Sequence, residues 1–255
     1  MSHPKPTSPA PDSALRRLND ALELSQLSGP IAFLGDPRIA EIRPAIAVVG
    51  SREAGSESLD AIAQLTTHLV RLGAPIVSGG ARGTDTAAHQ AALRAGAPTI
   101  ACLPGGLDWF IRESRHPALP TGQPFGTALL VSCFPPEVAP NRSRPVLRNR
   151  LIAALADVVV VGEAGLASGT WHCVKAALDY RRPVFFLTCD DKTWDPRLDS
   201  LHKYLTRRGA RPLNLDQMVD PATAHLILSA KPAADPLRQD HIAPDFFENP
   251  GESAS

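Results

Sequence analysis

Three Gly-containing segments each follow an apolar run and precede a stretch of helical periodicity: Gly50-Ser51-Arg52, Gly79-Gly80-Ala81-Arg82-Gly83 and Ser168-Gly169-Thr170. At a strand-to-helix turn the first backbone amides lack partners and the helix dipole favours an anion, so each segment is a candidate phosphate cradle. In the first, Gly50 permits a sharp turn, Ser51 can donate a hydrogen bond and Arg52 can grip a phosphate in bidentate fashion. An ordinary turn with a solvated arginine accounts for it equally well. In the second, three glycines around Arg82 exceed what packing asks for, which favours anion binding. In the third, Ser168 serves equally as a plain N-cap. A fourth segment, Asn141 to Arg150, carries Arg142, Arg144, Arg148 and Arg150 with Asn149 and no acid. Such a run is usually a solvated face, but its place after a strand, beside the Gly loops, favours phosphate contact.

Other chemistries find little support. None of the loops is GxGxxG, since Arg52 takes the middle glycine position between Gly50 and Gly55, so a nicotinamide or flavin cofactor is disfavoured. No GKS or GKT occurs for a Walker loop, no GxSxG for an activated serine, and no HxH or HExxH for a metal. Asp85 and Asp108 read more readily as cap or turn residues than as an acid–base pair, and His89 and His172 as surface or core histidines. No catalytic residue, cofactor or metal is assigned. Lys203, Arg207, Arg208 and Arg211 follow a helical spacing and read as a solvated face.

The elements that must position these loops alternate. Apolar runs at Ala45–Val49, Ile76–Ser78, Thr99–Leu103, Ala128–Ser132, Val158–Val161 and Val184–Leu187 read as strands buried on both faces. A shorter run, Ile31–Leu34, precedes them. Between them, helices are expected at Leu59–Leu72, Thr84–Ala95, Leu147–Ala156 and Gly169–Tyr180, with an earlier one from Asp12 and two later ones at Pro196–Arg208 and Leu215–Leu228. This alternation predicts an α/β fold, a mostly parallel sheet covered on both faces, with ligands beyond the carboxyl ends of the strands. Residues 1–12 and 232–255 are polar and Pro-rich and read as disordered tails; residues 13–40 form a helical lead-in, and 41–231 the domain.

Composition bounds the answer. The 255 residues carry 26 Lys+Arg against 26 Asp+Glu, a net charge of zero that argues against binding nucleic acid or membrane by bulk charge. Aromatics are 5%, too few for an extended base-stacking surface. The four cysteines, Cys102, Cys133, Cys173 and Cys189, form no CxxC pair and read as buried hydrophobes of a reducing compartment. No secretory signal or membrane-length apolar run is seen, so a soluble cytoplasmic protein is expected.

Taken in order, the motifs resemble the DprA/Smf family of DNA-processing proteins. The resemblance rests on Ala47-Val48-Val49-Gly50-Ser51-Arg52, on Val77-Ser78-Gly79-Gly80-Ala81-Arg82-Gly83-Thr84-Asp85 with Ala88-His89, and on Gly105-Gly106-Leu107-Asp108. It continues through Ser132-Cys133-Phe134-Pro135-Pro136, Arg148-Asn149-Arg150-Leu151-Ile152-Ala153 and Ser168-Gly169-Thr170, over about residues 30–190. It implies an extended Rossmann-like three-layer fold that binds single-stranded DNA without catalysis and assists loading of a RecA-type recombinase during DNA uptake. It also implies a homodimer. The phosphate contacts carried over are Ser51, Arg52, the Gly79–Gly83 loop with Arg82, and basic residues within Arg142–Arg150. The chain departs from the family at Thr84, Ile111-Arg112, Cys133, Pro145-Val146 and Trp171-His172-Cys173, and no winged-helix domain is expected after the core, so a divergent, core-only member is implied.

Two rivals share these loops. A nucleotide-binding sensor would hold a small phosphate ligand. A phosphoribohydrolase of the LOG type needs Pro-Gly-Gly-x-Gly-Thr-x-x-Glu, but Cys173 stands where that Glu would be, removing the carboxylate for acid–base help.

Overall fold

The structure, a computed structural model, describes residues 12–113, 127–164, 169–188 and 196–231. Both expected tails therefore lie outside the described residues, apart from Asp12.

Eight strands form one sheet: β1 (Ala32–Leu34), β2 (Ile46–Val49), β3 (Ile76–Ser78), β4 (Thr99–Cys102), β5 (Ala128–Ser132), β6 (Val158–Val161), β7 (Val184–Leu187) and β8 (Arg211–Leu213). Their order is β1-β5-β4-β3-β2-β6-β7-β8. Every pairing is parallel except β1 with β5, where Ala32 sits opposite Ser132. The α/β, mostly parallel fold read from the sequence is the fold observed.

The continuous apolar strands are explained by helices on both faces. Ala47 and Val49 pack towards α1 (Asp12–Leu24), α5 (Arg144–Leu155) and α6 (Thr170–Asp179). Ile46 and Val48, pointing the other way, meet α2 (Ser56–Arg71), α3 (Thr84–Arg94), α8 (Leu215–Val219) and α9 (Pro221–Leu228). A smaller cluster packs Leu107 and Phe110 of α4 (Leu107–Glu113) on Ala101, Leu103 and Leu130. The remaining helix, α7 (Pro196–Arg207), precedes β8. The lead-in is part of the same core: Leu18 and Ala21 of α1 are fully buried with Ile152 of α5.

Three local readings need correcting. The stretch Leu215–Leu228 is two helices, because Asp220 caps a new one by accepting from the Ala222 amide at 2.9 Å, with Pro221 in its first turn. Helix α5 starts at Arg144, three residues before the expected Leu147, since Asn141 Oδ1 accepts from the amides of Ser143 and Arg144 and Pro145 is tolerated in a first turn. Arg211 does not continue a helical basic face: it opens β8, an edge strand where Pro212 needs no ladder partner.

Strand order reverses between β2 and β6. From β2 the chain passes to α2 on one face, and from β6 to α6 on the other. The crevice at the carboxyl ends of these two strands is where such sheets bind ligands.

Candidate nucleic-acid interface

A cleft of about 770 Å³ lies at that reversal. Its walls include Gly50, Ser51 and Arg52 after β2, Ala81 and Asp85 after β3, Arg142, Arg148 and Asn149 at the start of α5, and Gly169 and Thr170 at the start of α6. Arg82 lies on a smaller recess beside it, with Arg52, Gly79, Gly80 and Arg148. The fold thus gathers most of the residues singled out from the sequence. Ser168 lies outside the described residues.

The loops do not work as open cradles of amides. The Ser51 amide donates to Glu163 O at 2.6 Å, the Glu53 amide to Ser51 Oγ at 3.0 Å, and the Gly55 amide to Glu163 Oε2 at 2.9 Å. In the second loop the amides of Gly79 and Ala81 both donate to Asp85 Oδ2 at 3.2 Å. Asp85 is therefore the loop's own acceptor, a cap in the sense expected. The third segment is likewise engaged: Thr170 Oγ1 donates to Gly50 O at 2.9 Å, and Asn149 Nδ2 to Gly169 O at 2.7 Å. These internal bonds fix the loops against one another.

The glycines have packing reasons too, contrary to the sequence reading. A Cβ on Gly79 would collide with the Arg148 guanidinium, and one on Gly83, at φ +77°, with Ser51 O. Gly79 thus makes room for an arginine, and Gly83 lets the first two loops touch.

The arginine run divides by position. Arg148 is 3% exposed, and its Nη1 donates to both Gly79 O and Cys102 O, tying α5 to the ends of β3 and β4. It is a buried post at the base of the cleft. Burial pulls its guanidinium down, with Asp85 opposing and Arg52 adding to the pull; burial pushes the Asp85 carboxyl up, with Arg148 opposing. Arg150 Nη2 donates to Gln26 Oε1 at 2.7 Å, beyond the end of α1, away from the cleft. Arg144 donates to Ala139 O and lies over the Phe134 ring, 6.0 Å from its centroid. Arg52, Arg82 and Arg142 are exposed. Among the described residues none of these three forms an ion pair.

The site is therefore cationic at its rim and over-determined at its base. Arg142 and Arg144 stand at the amino end of α5, whose first turn has no acid. Cations there oppose the helix dipole, an arrangement that an anion would relieve. Zero net charge is an average that hides this local excess.

Neighbouring polar groups are structural. His89 is buried, with Nδ1 2.7 Å from Thr99 Oγ1. Cys102, Cys133 and Cys173 are buried free thiols. Burial pushes Cys102 up to about 12 and Cys133 up to about 11, and raises Cys173 as well. Cys189 lies outside the described residues. Among the described residues no His, Cys, Asp or Glu group is arranged to hold a metal, and no helix is long and apolar enough to cross a membrane.

A mostly parallel, doubly covered sheet with a cleft at its strand reversal defines a Rossmann-like fold. The chain belongs to the DNA recombination-mediator protein A family, whose sequence model matches residues 21–221. It is 35% identical over 182 residues to the DNA processing protein DprA of Streptococcus pneumoniae, covering 69% of this chain and 60% of that one. It is 40% identical over 119 residues to the protein Smf of Escherichia coli, covering 47% and 32%. The chain thus spans less than two thirds of the length of these relatives. Among solved structures it is similar to DNA processing protein A of Helicobacter pylori, described for its single-stranded DNA binding mode, with a TM-score of 0.65, 27% identity, and coverage of 78% of this chain and 89% of that one.

Proposed function

We propose that the cleft holds the phosphates of single-stranded DNA, and that the protein acts as a recombination mediator that binds its ligand without transforming it. The observation that carries this reading is the rim of Arg52, Arg82 and Arg142 around the β2–β6 reversal, exposed and without an ion-pair partner among the described residues. Each guanidinium can take a phosphate in bidentate fashion, and several together bind a polyanion with a steep salt dependence. The Helicobacter pylori relative supports the choice of ligand. Ser51, the Gly79–Gly83 loop, Asn149 and Arg148 shape the cleft; Thr170 and Gly169 brace it. A RecA-type recombinase as partner, a homodimer and a cytoplasmic location belong to the same proposal.

The hydrolase reading is weaker. Cys173, at the position of the required carboxylate, is fully buried in α6 and burial keeps its thiol protonated. The nucleotide-sensor reading uses the same rim and differs in ligand length.

The test is fluorescence anisotropy with labelled oligothymidine at two salt concentrations. Tight binding with a steep salt slope is expected, and Arg52→Ala and Arg82→Ala should each weaken it. No binding at low salt would remove the function, and unchanged affinity in both variants would remove the site. A mononucleotide bound as tightly as the oligomer would favour the sensor. Base release from nucleoside monophosphates above background would restore the hydrolase.

A further inference from the structure

The zero net charge divides unevenly along the chain. Residues 232–255 hold five acids, Asp235, Asp240, Asp245, Glu248 and Glu252, against one base, Arg238, a net charge of −4. Residues 1–231 therefore carry +4, with 25 bases against 21 acids. The acidic segment follows α9 and lies outside the described residues. Its sequence and its reach still define what it can meet. Its 24 residues extend to about 80 Å, against a radius of gyration of about 17 Å expected for a domain of this size. Every face of the domain is within that span.

Two basic surfaces compete for those carboxylates. On α7 and β8, Arg208 already donates to the Tyr204 hydroxyl at 2.8 Å and Arg211 lies over the Phe185 ring. Around the cleft, Arg52, Arg82 and Arg142 are exposed and have no ion-pair partner among the described residues. Arg142 and Arg144 also meet the positive end of the α5 dipole, where the first turn has no acid. A carboxylate gains more at this rim. The segment carries an apolar signature as well, Phe246 and Phe247 between Asp245 and Glu248. Beside the rim is an apolar pocket of about 150 Å³, lined in part by Leu103, Pro104, Trp109 and Phe110, a volume that takes one benzene-sized ring. Carboxylates flanking phenyl rings match a cationic rim with an apolar recess at its side.

We propose that residues 232–255 are a built-in competitor for the cleft. The carboxylates of Asp245 and Glu248, with Asp240 and Glu252 beside them, lie on Arg52, Arg82 and Arg142, and a phenyl ring of the Phe246-Phe247 pair enters the apolar pocket. A DNA strand binds by displacing them. The proposal rests on the reading of the cleft as a single-stranded DNA site. A segment that holds the rim with a dissociation constant of about 0.1 mM, at an effective concentration of about 1 mM, weakens strand binding about tenfold. Short strands are then kept out, and a strand long enough to neutralise the whole rim gets in.

The test uses the full chain carrying Asp235→Asn, Asp240→Asn, Asp245→Asn, Glu248→Gln and Glu252→Gln together, titrated with oligothymidine by anisotropy. At low salt this neutralised chain should bind about tenfold tighter than wild type. Its salt slope should be steeper, because the wild-type carboxylates already replace some of the counterions that a strand would release, and the two affinities should converge at high salt. A control with the same change in net charge carries Glu23→Gln, Glu41→Gln, Asp60→Asn, Asp179→Asn and Asp216→Asn, five exposed acids that do not line the cleft. It should gain less than about threefold, since exposed charges beyond a Debye length are screened. Phe246→Ala with Phe247→Ala keeps every charge and should recover part of the tenfold gain; unchanged affinity there would remove the pocket contact. A synthetic peptide of residues 232–255 should displace oligothymidine from the neutralised chain, and the same peptide with its five carboxylates as amides should not. Equal affinity of wild type and neutralised chain at low salt, an equal gain in the control, or a peptide that fails to compete would overturn the proposal. Binding of oligothymidine by neither chain would instead refute the cleft reading itself.

Discussion

At the carboxyl end of α5, Arg17 Nη2 donates to Leu155 O at 3.0 Å, Arg43 Nη1 to the same carbonyl at 3.4 Å, and Arg182 Nη2 to Ala154 O at 3.4 Å. Arg43 is also paired with Asp157, which accepts from the Ala45 amide at 2.8 Å. At the amino end of the same helix stand Arg142, Arg144 and Arg148, with Arg52 close enough to Arg148 to disfavour its charge. The first group satisfies orphan carbonyls and the negative end of the dipole. The second gathers positive charge where the dipole is already positive. The contrast teaches that arginine count says little by itself. What separates a structural cluster from a binding cluster is whether the guanidinium groups have been matched by the chain.

The sharpest way to test this contrast is to remove the amino-end arginine that the chain has buried. Arg148→Met should cost about 2–3 kcal/mol of stability in urea denaturation, the scale of unpairing two buried acceptors, and should raise the Asp85 carboxyl further by removing the positive charge that opposes its burial. The two acceptors are Gly79 O and Cys102 O. At the carboxyl end, Arg182→Ala should cost about 1–2 kcal/mol, the price of unpairing a helix carbonyl, with oligothymidine affinity unchanged. Arg142→Ala should show the reverse: loss of oligothymidine affinity, a salt slope shallower by about 0.7, and stability unchanged or raised by about 0.3–1 kcal/mol as the dipole is relieved. Smallest of all, Arg150→Ala should change oligothymidine affinity by less than about twofold, since its partner is Gln26 and it does not line the cleft. A large binding defect in Arg150→Ala or Arg182→Ala, measured by the same anisotropy titration, would erase the distinction between the two ends.

Much of the fold was legible because apolar strands and Gly-terminated helical stripes follow from burial on both faces. The placement of the Gly loops at the strand ends followed from the same alternation. The division of labour within Arg142–Arg150 was partly legible and missed: Arg148 and Arg150 are about 200° apart on a helix and cannot both face one cleft. The break at Asp220-Pro221 was legible as well, as a cap followed by a first-turn proline. Strand β8 was not, being three residues with a proline among them. Nor were the partners of the loop amides, because Glu163 meets Ser51 and Gly55 only once β6 lies beside β2. A sequence shows a Gly loop but not which distant carbonyl or carboxylate occupies its amides.

The strand order has one more consequence. Gly50, Ala81 and Asp85 follow β2 and β3 on one side of the reversal, Thr170 follows β6 on the other, and Arg142 and Asn149 lie on the crossover from β5 to β6 that joins them. Neither side alone contains a cleft, so a strand that binds there recognises only the fully assembled sheet. Binding energy is then added to the cooperativity of the whole domain, as RT ln(1 + [L]/Kd), and not to the stability of any one segment. Occupancy by DNA would protect the chain against unfolding and proteolysis as a single unit, so that persistence of the protein and possession of its ligand become the same equilibrium.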